Sequence, residues 1–224
     1  TYGDWHLYVY DNDSKHCIKP ILAEYDSTRY EFVNLDNNYG FAVSNNLAIK
    51  KALHDGCDAV LIINNDTVFE PDLFAGLLEQ LDLQHALVVA PKMLHYPEKN
   101  IVWYGGGYFD PLQAQKNIHI GMGDLDDGRF DTPGWVAVAP MCCLLVHRKA
   151  FERIGYLDEK YFIYYEDTDW AYRAKLLGIR IWYAAQCKIY HKVSSLTGGA
   201  KSRFTVYHPT RGKIRFINKF HFRF

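Results

Sequence analysis

The chain of 224 residues is 49% hydrophobic and 23% charged, which is typical of a globular domain and excludes a disordered or collagen-like chain. It contains no run of about 18 apolar residues, so we expect no segment that spans a bilayer, and we expect no signal peptide. Five cysteines, an odd number without a CxxC pair, indicate reduced thiols and a cytoplasmic protein.

The net charge of −1 hides an asymmetry along the chain. No Asp or Glu follows Asp169, whereas twelve Lys and Arg residues do, and five phenylalanines are interleaved with the last of them. This basic, aromatic segment over residues 204–224 suits an anionic membrane surface or a phosphate-bearing ligand, and it equally suits a solvated helix. Because the rest of the chain is strongly acidic and would repel nucleic acid, we predict no nucleic-acid partner.

The N-terminal part alternates predicted strands with predicted helices, and Gly56 and Pro71 supply helix stop and start signals. In chain order these elements are a strand over 5–10, a helix over 15–25, a strand over 30–35, a helix over 41–55, a strand over 59–63, a helix from 70 to about 83 and a strand over 87–90. This order predicts a parallel α/β sheet, whose ligands bind at the carboxyl ends of the strands.

The second half of the chain has a different composition. Residues 95–135 are rich in Gly, Asp and aromatic residues, and we expect short strands and loops there. The elements predicted after them are strands over 135–139 and 141–146, a helix over 148–154, a helix from 166 to 177, strands over 179–183 and 188–191, a Gly/Ser loop over 194–202 and a basic helix over 204–220 with potential breaks at Pro209 and Gly212.

Polar clusters follow three of the predicted strands, at Asp11, at 38–40 and at 64–66. Strand ends of a parallel sheet meet at one edge, so these clusters are expected to lie together. Asp66 could hold a divalent cation, which binds through one or two carboxylates plus ligand phosphates, or it could serve as a turn residue before the next helix. Gly40 and Asn46, close to a helix start, could meet a phosphate or ribose through backbone amides.

Three carboxylates stand at one predicted helix start, on Glu166, Asp167 and Asp169. They could simply complement the positive end of the helix dipole. Alternatively, the aromatic run over 161–165 gives one of them the apolar wall that raises the pKa of a general base. His191 ends a later strand, where it could be an ordinary hydrogen-bonding residue or a metal ligand.

Four segments together resemble the family 2 glycosyltransferases of the GT-A fold, in particular their bacterial rhamnosyltransferase-like branch. They are Val9–Ser14, Asn38–Asn46, Leu61–Asp66 (LIINND) and Phe162–Arg173 (FIYYEDTDWAYR). The resemblance implies an α/β fold with a mostly parallel central sheet flanked by helices and a smaller mixed sheet on the acceptor side. It also implies a GT-A domain over 1–203, with a nucleotide-binding half to about 94 and an acceptor half over 95–203, followed by the basic tail over 204–224.

The same resemblance implies a role for each matching residue. Asp167, paired with Glu166, would be the catalytic base, and Arg173 is interpreted as a structural partner of Glu166. The nucleotide would be contacted by Asp11, Asn38, Gly40, Asn46, Asn64 and Asn65. Asp66, at the end of a DxD-type motif, and His191 would hold Mg²⁺ or Mn²⁺. Met141 and Cys142 would shape the sugar or acceptor site.

Two features depart from the family pattern. Asn64 stands where a carboxylate often does, which weakens a metal site that depends on charge. The family's first strand, central in its sheet, has no match here, so we expect two unpaired strand edges and interpret the sequence as a fragment or truncated form.

The sequence therefore predicts an inverting glycosyltransferase of surface polysaccharide synthesis. Its donor would be a dTDP- or UDP-linked sugar, with rhamnose among the candidates, and its acceptor a glycan or a lipid-linked glycan. We expect a cytoplasmic protein, associated peripherally with the inner face of the plasma membrane through its basic C-terminus. Two other hypotheses remain: a non-catalytic nucleotide-sugar or glycan-binding module of the same fold, and a metal-dependent phosphohydrolase or nucleotidyltransferase.

Overall fold

The computed structural model describes residues 2–14, 18–192 and 202–220. Its strands and helices alternate first and then give way to short strands and loops. In chain order they are β1 (Leu7–Asp11), α1 (Lys19–Leu22), β2 (Tyr30–Asn34), α2 (Gly40–His54), β3 (Ala59–Ile63), β4 (Thr67–Phe69), α3 (Leu73–Leu83), β5 (Val88–His95), β6 (Val102–Tyr104), β7 (Gly107–Asp110), a 3₁₀ turn (Pro111–Gln113), β8 (Lys116–His119), β9 (Gly134–Val136), β10 (Cys143–His147), α4 (Arg148–Ile154), α5 (Glu166–Leu176), β11 (Ile181–His191) and α6 (Arg203–Phe220).

A mixed seven-stranded sheet lies at the centre of the fold, in the order β3-β10-β5-β11-β4, with β6 beside β5 and β9 beside β11. Strands β3 and β5 both run antiparallel to β10, and β11 runs parallel to β5, so β3, β5 and β11 share one direction. Strand β5 is buried along almost its whole length. Such a continuous apolar run is typical of a strand that is covered on both faces.

Strands β1 and β2 form a separate parallel pair. Among the described residues β1 pairs with β2 only, and β3 pairs with β10 only, so the two unpaired edges expected from the sequence are present. Helix α2 packs on both β1 and β3 and so links the pair to the large sheet. The hydroxyl of Tyr8 on β1 donates to Asp55 Oδ2, 2.8 Å away, just after the end of α2.

A fully buried lysine fastens the loops between β8 and β9 to the sheet. Lys92 on β5 donates to Asp126 Oδ1 at 2.6 Å and also to Asp131. Burying a charge is unfavourable unless it is paired, and the two carboxylates meet that requirement. This ion pair adds to the backbone hydrogen bonds that hold the segment over the sheet.

The C-terminal elements differ from the sequence predictions. Strand β11 is one strand over Ile181–His191, interrupted only by an irregularity between Ala184 and Lys188 in its pairing with β5, where the sequence predicted two strands. Helix α6 continues through Pro209 and Gly212. A Cβ on Gly212 would lie 3.0 Å from the carbonyl oxygen of Tyr164, so the glycine lets α6 pack closely.

Some predicted elements are shorter or lie partly outside the described residues. The helix predicted over 15–25 is confined to Lys19–Leu22, and residues 15–17 lie outside the described part. Most of the predicted Gly/Ser loop over 194–202 and the last four residues of the tail lie outside it too. No helix in the described ranges has the length and apolarity needed to cross a membrane.

Gly40 begins α2 with a φ of +83°. An alanine Cβ there would lie 2.3 Å from the carbonyl oxygen of Phe162, whereas Gly56, with a φ of +96°, has nothing within 4 Å. Both Gly→Ala substitutions should cost about 1–2 kcal/mol for the left-handed backbone. Gly40→Ala should cost about a further 1–3 kcal/mol for overpacking.

Urea unfolding of the two variants measures this difference. Equal losses in Gly40→Ala and Gly56→Ala would show that the approach of Gly40 to Phe162 is not tight.

Candidate active site

Asn12 ties the loops that follow β1 and β2 to each other. Its side-chain amide donates to Asn38 Oδ1 (3.1 Å) and to the carbonyl oxygen of Gly40 (3.2 Å), and its Oδ1 accepts the amide of Tyr39 at 2.9 Å. Asp11, buried beside it, accepts the amide of Ser14. The predicted residues Asp11, Asn38 and Gly40 are therefore close together. Asn12 lies within the same motif, but its bridging role was not predicted.

The second contact joins this pair of loops to the segment before α5. The amide of Phe41 donates to the carbonyl oxygen of Phe162 at 2.7 Å, directly beside the Gly40 approach described above. Phe162 precedes the Glu166–Asp167 pair by a few residues. The predicted nucleotide loop and the predicted catalytic turn are thus in backbone contact.

Asp66 and His191 meet at the end of the β4–β11 ladder. Residue 191 pairs with Thr67 across the β4–β11 ladder, and the amide of Lys192 donates to the carbonyl oxygen of Asp66 at 2.8 Å. His191 Nε2 lies 3.2 Å from Asp66 Oδ1. The imidazole is buried, with its ring centroid 4.6 Å from that of Trp103 in an edge-on arrangement.

This pair of side chains fits part of a divalent-cation site. Two neighbouring ligands of an octahedral ion with bonds of about 2.0–2.1 Å lie about 3 Å apart, close to the separation of His191 and Asp66. In the described part of the chain no group of three His, Cys, Asp or Glu residues could complete a site. A cation here would therefore need oxygen ligands from a bound diphosphate or water.

The turn before α5 is held in an unusual backbone conformation. Tyr164 and Tyr165 have φ angles of 66° and 72°, in the left-handed region that non-glycine residues rarely adopt. Each such residue costs on the order of 1–3 kcal/mol and persists only where surrounding contacts impose it. The turn delivers Glu166 and Asp167 as the first two residues of α5.

The two carboxyl groups have different surroundings. Asp167 is partly exposed, and its Oδ1 accepts the amide of Thr168 at 2.6 Å and the Thr168 hydroxyl at 3.1 Å. Glu166 is buried, and its Oε2 has no hydrogen-bond partner among the described residues. Burial, reinforced by the charge of Asp167, raises the pKa of Glu166 well above its usual range.

Burial also raises the pKa of Asp167, although the hydrogen bonds from Thr168 oppose the shift. A carboxylate with a raised pKa and access to solvent has the properties of a general base. Asp167 is the member of the pair that combines both.

A buried thiol lies within electrostatic range of both candidate centres. Burial raises the pKa of Cys142 well above its usual range, and the charges of Cys143, Asp66 and Asp167 raise it further. The carbonyl oxygen of Cys142 also accepts the amide of Asn64 at 2.9 Å. Asp66 and Asp167 therefore both lie within electrostatic range of this thiol.

Asn46 and Arg173 have interaction partners that the sequence did not predict. Asn46 is 1% exposed, and its amide donates to the carbonyl oxygen of Leu157 and to Glu159 Oε1, both at 2.9 Å, so it braces a loop inside the fold rather than lining an open pocket. Arg173 pairs with Asp169 at 2.8 Å, one helical turn away, so the predicted pairing with Glu166 is wrong. A guanidinium reaches a side chain four residues away more easily than one seven away.

Asp169 is an anchor and is fully buried. Its oxygens are bound by Arg173, by Lys219 of α6 at 2.7 Å and by the hydroxyl of Tyr161 at 3.2 Å. Of the remaining predicted residues, Asn64 is half-buried and Asn65 is exposed.

The raised pKa of Glu166 leads to a prediction for stability. Because the pKa of Glu166 is raised in the folded state, its protonation stabilises the fold at acidic pH. This stabilisation is lost as the pH rises through the folded-state pKa. Glu166→Gln should therefore raise Tm relative to wild type at pH 8, and the difference should shrink below about pH 4.3, where unfolded glutamate is protonated too. Thermal unfolding across this range measures it, and Glu152→Gln, on an exposed carboxylate, controls for the change in net charge.

The opposite result, a loss of stability in Glu166→Gln at pH 8, would mean that the buried carboxylate has a favourable partner.

A family model described as Glycosyl transferase family 2 matches residues 1–155. The dTDP-rhamnosyl transferase RfbF of Shigella flexneri is 25% identical over 227 residues, covering 96% of this chain and 69% of the relative. An N-acetylglucosaminyl-diphospho-decaprenol L-rhamnosyltransferase of Mycobacterium tuberculosis is 37% identical over 65 residues, covering 29% of this chain and 20% of the relative.

Among solved structures, GalNAc-T7 with UDP, GalNAc and Mn²⁺ superposes with a TM-score of 0.69 at 13% identity. The superposition covers 95% of this chain and 42% of that chain. At this identity the likeness shows the fold, and the predicted GT-A fold is confirmed. The chain thus spans less than half of that structure and at most about two thirds of the relatives named above.

Proposed function

The chain belongs to glycosyl transferase family 2, and we propose that it is an inverting glycosyltransferase that uses a nucleoside-diphosphate sugar. The observations that carry this proposal are the Asp66–His191 pair and the carboxyl group of Asp167 at the start of α5, with Asp66 and Asp167 both within electrostatic range of the Cys142 thiol. A diphosphate leaving group and an acceptor hydroxyl need these two kinds of site, close together and on opposite faces of the donor sugar.

In the proposed reaction, Asp167 accepts the proton of the acceptor hydroxyl. The hydroxyl oxygen forms a bond to the anomeric carbon of the donor sugar from one face. The bond between that carbon and the diphosphate oxygen breaks on the other face, which inverts the configuration. A divalent cation bound by Asp66 and His191 would supply charge neutralisation for the departing diphosphate.

The nucleotide itself would bind at the paired loops after β1 and β2. Asp11 and Asn38 present polar groups there, and the tight approach of Gly40 to Phe162 keeps this loop against the catalytic turn. Asn12 would position the loops rather than touch the donor, because its amide is already engaged with Asn38 and Gly40. We therefore assign Asp11, Asn38 and Gly40 to the donor pocket.

The relatives support a finer assignment. The name of the Shigella relative supports dTDP-rhamnose as donor, with UDP-linked sugars as the competing class. The name of the mycobacterial relative supports an acceptor in which a glycan is attached to a lipid through a diphosphate. Mn²⁺ in the GalNAc-T7 structure supports a divalent cation. The proposed pathway is the synthesis of a surface polysaccharide.

The exposed side of α6 supports contact with a membrane, where such an acceptor resides. Val206, Tyr207 and Ile214 are 58%, 60% and 55% exposed, and Arg203 and Lys213 are exposed among them. The helix contains no acidic residue. An amphipathic helix of this kind binds at the interface of an anionic bilayer through both its apolar and its cationic side chains.

Replacing the proposed base tests the chemistry. With dTDP-rhamnose, Mn²⁺ and a soluble lipid-diphosphate glycan acceptor, Asp167→Asn should lower kcat by about 10²–10⁴-fold, because proton transfer from the acceptor is lost. Tm should not fall, since the raised pKa shows that the Asp167 charge is unfavourable in the fold. Asp169→Asn is the matched variant, and it should lose about 3–5 kcal/mol of stability because Arg173 and Lys219 lose their buried partner.

A full rate in Asp167→Asn would contradict its role as the base. If the wild type binds nucleotide but shows no turnover, the non-catalytic binding module is favoured instead. A metal pair with a single carboxylate would suit binding better than catalysis.

Nucleotide binding tests the metal pair. Because a ligand that binds only the folded state raises apparent stability, UDP or dTDP with Mn²⁺ should raise Tm more than either component alone. This additional rise in Tm should disappear in Asp66→Asn. It should persist in Asp126→Asn, which changes an acidic residue that pairs with Lys92 and has no proposed role in metal binding. A Tm increase by nucleotide that is independent of Mn²⁺ and of Asp66 would contradict a metal-bridged diphosphate.

A further inference from the structure

A shallow groove lies between α6 and the loop that leads to the catalytic turn, and the mechanism above does not use it. One wall is the backbone and side chains of residues 160–164, and the other is a single face of α6. That face consists of residues at helical spacing, namely His208, Arg211, Gly212 and Arg215. The groove is closed at its base by the tight packing of Gly212 against Tyr164.

The groove carries an excess of positive charge. Lys160, Arg211 and Arg215 line it, and no acidic residue does. Lys160 and Arg211 have no ion-pair partner in the ranges that the structure describes. Arg215 has only a loose pairing with Asp158, at 3.7 Å, and its buried Nε has no hydrogen-bond partner there.

The nearby acidic residues are already neutralised by a different cation. Lys219 lies 2.8 Å from Asp158 and 2.7 Å from Asp169, and Arg173 also binds Asp169. The charges of Arg211 and Lys160 are therefore available to a ligand.

The walls of the groove are aromatic. The His208 ring stacks on Phe162 with centroids 5.1 Å apart, and the Arg215 guanidinium lies over the Tyr161 ring at 5.4 Å. Cations that are close to aromatic faces suit a ligand with a phosphate group joined to an apolar or sugar portion. Arginine in particular binds phosphate oxygens through two parallel hydrogen bonds.

We propose that this groove binds the diphosphate of a lipid-linked acceptor. The assignment rests on the proposed function, because it is the acceptor that requires a second diphosphate site apart from the donor's. Residues 160–164 form the groove wall and continue directly into Tyr165, Glu166 and Asp167. A glycan attached to a diphosphate held here would extend toward Asp167.

Direct binding tests the proposal without any sugar transfer. Farnesyl diphosphate, a water-soluble short-chain lipid diphosphate, is titrated calorimetrically in EDTA, without donor. Arg211→Gln should weaken binding about tenfold or more, the loss expected for one charge-assisted phosphate contact. Lys213→Gln makes the same change in charge on an exposed residue of α6 outside the groove and should leave the affinity unchanged. Because both side chains are exposed, the two variants should keep the wild-type Tm.

Vesicles of phosphatidylglycerol in a parallel sedimentation assay distinguish an acceptor diphosphate from a phospholipid headgroup. The double variant Val206→Ser/Ile214→Ser should lose vesicle binding and keep farnesyl diphosphate binding, whereas Arg211→Gln should show the reverse. Loss of vesicle binding in Arg211→Gln together with no binding of farnesyl diphosphate would make the groove a headgroup site and overturn the proposal.

Equal losses of farnesyl diphosphate affinity in Arg211→Gln and Lys213→Gln would also overturn the proposal. They would show that binding depends on the overall positive charge of α6 and not on the groove. The proposed function fails separately: absence of turnover by a wild type that binds farnesyl diphosphate through Arg211 would refute the transferase reaction and leave the groove assignment standing.

Discussion

The backbone contact between Gly40–Phe41 and Phe162 is the constraint on which the rest of the site depends. It is formed by a 2.7 Å hydrogen bond at a place where a side chain on residue 40 could not be accommodated. The contact joins the loop after β2 to the segment before α5, which are more than a hundred residues apart in sequence. Together with the hydrogen bonds from Asn46 to Leu157 and Glu159, it holds the proposed nucleotide pocket against the segment that leads to the proposed base.

Helix α6 completes this arrangement from the other side. Gly212 packs against Tyr164 and Tyr165, and Lys219 binds Asp169 beneath the first turn of α5. The strained pair of tyrosines thus packs directly against α6, and this packing explains how two left-handed residues persist next to each other. Lys219 thus gives the basic C-terminal segment a structural role, whereas Arg211 has no ion-pair partner in the described part of the chain.

Local pattern predicted much of this fold, and long-range contacts account for what it missed. Strand β3 and helix α4 have the predicted bounds, because each is a run of one periodicity between clear turn signals. The sequence predicted two strands, over 179–183 and 188–191, whereas pairing with β5 on both sides of an irregularity between Ala184 and Lys188 makes them one strand. The roles of Asn12 and Asn46 depend on partners that are distant in sequence, which no local spacing reveals. The family resemblance, which uses several segments at once, is confirmed.

The three carboxylates at the start of α5 show how one helical turn can separate chemical roles. Asp169 is fully buried and bound by two cations, so its charge is stabilised and unavailable. Glu166 is buried, and no described residue is a hydrogen-bond partner of its Oε2, so it favours the protonated form and cannot readily accept a proton. Only Asp167 combines access to solvent, a raised pKa and hydrogen bonds from Thr168 that keep its ionised form accessible. Those are the properties that a base needs near neutral pH, and the environment rather than the residue type assigns them.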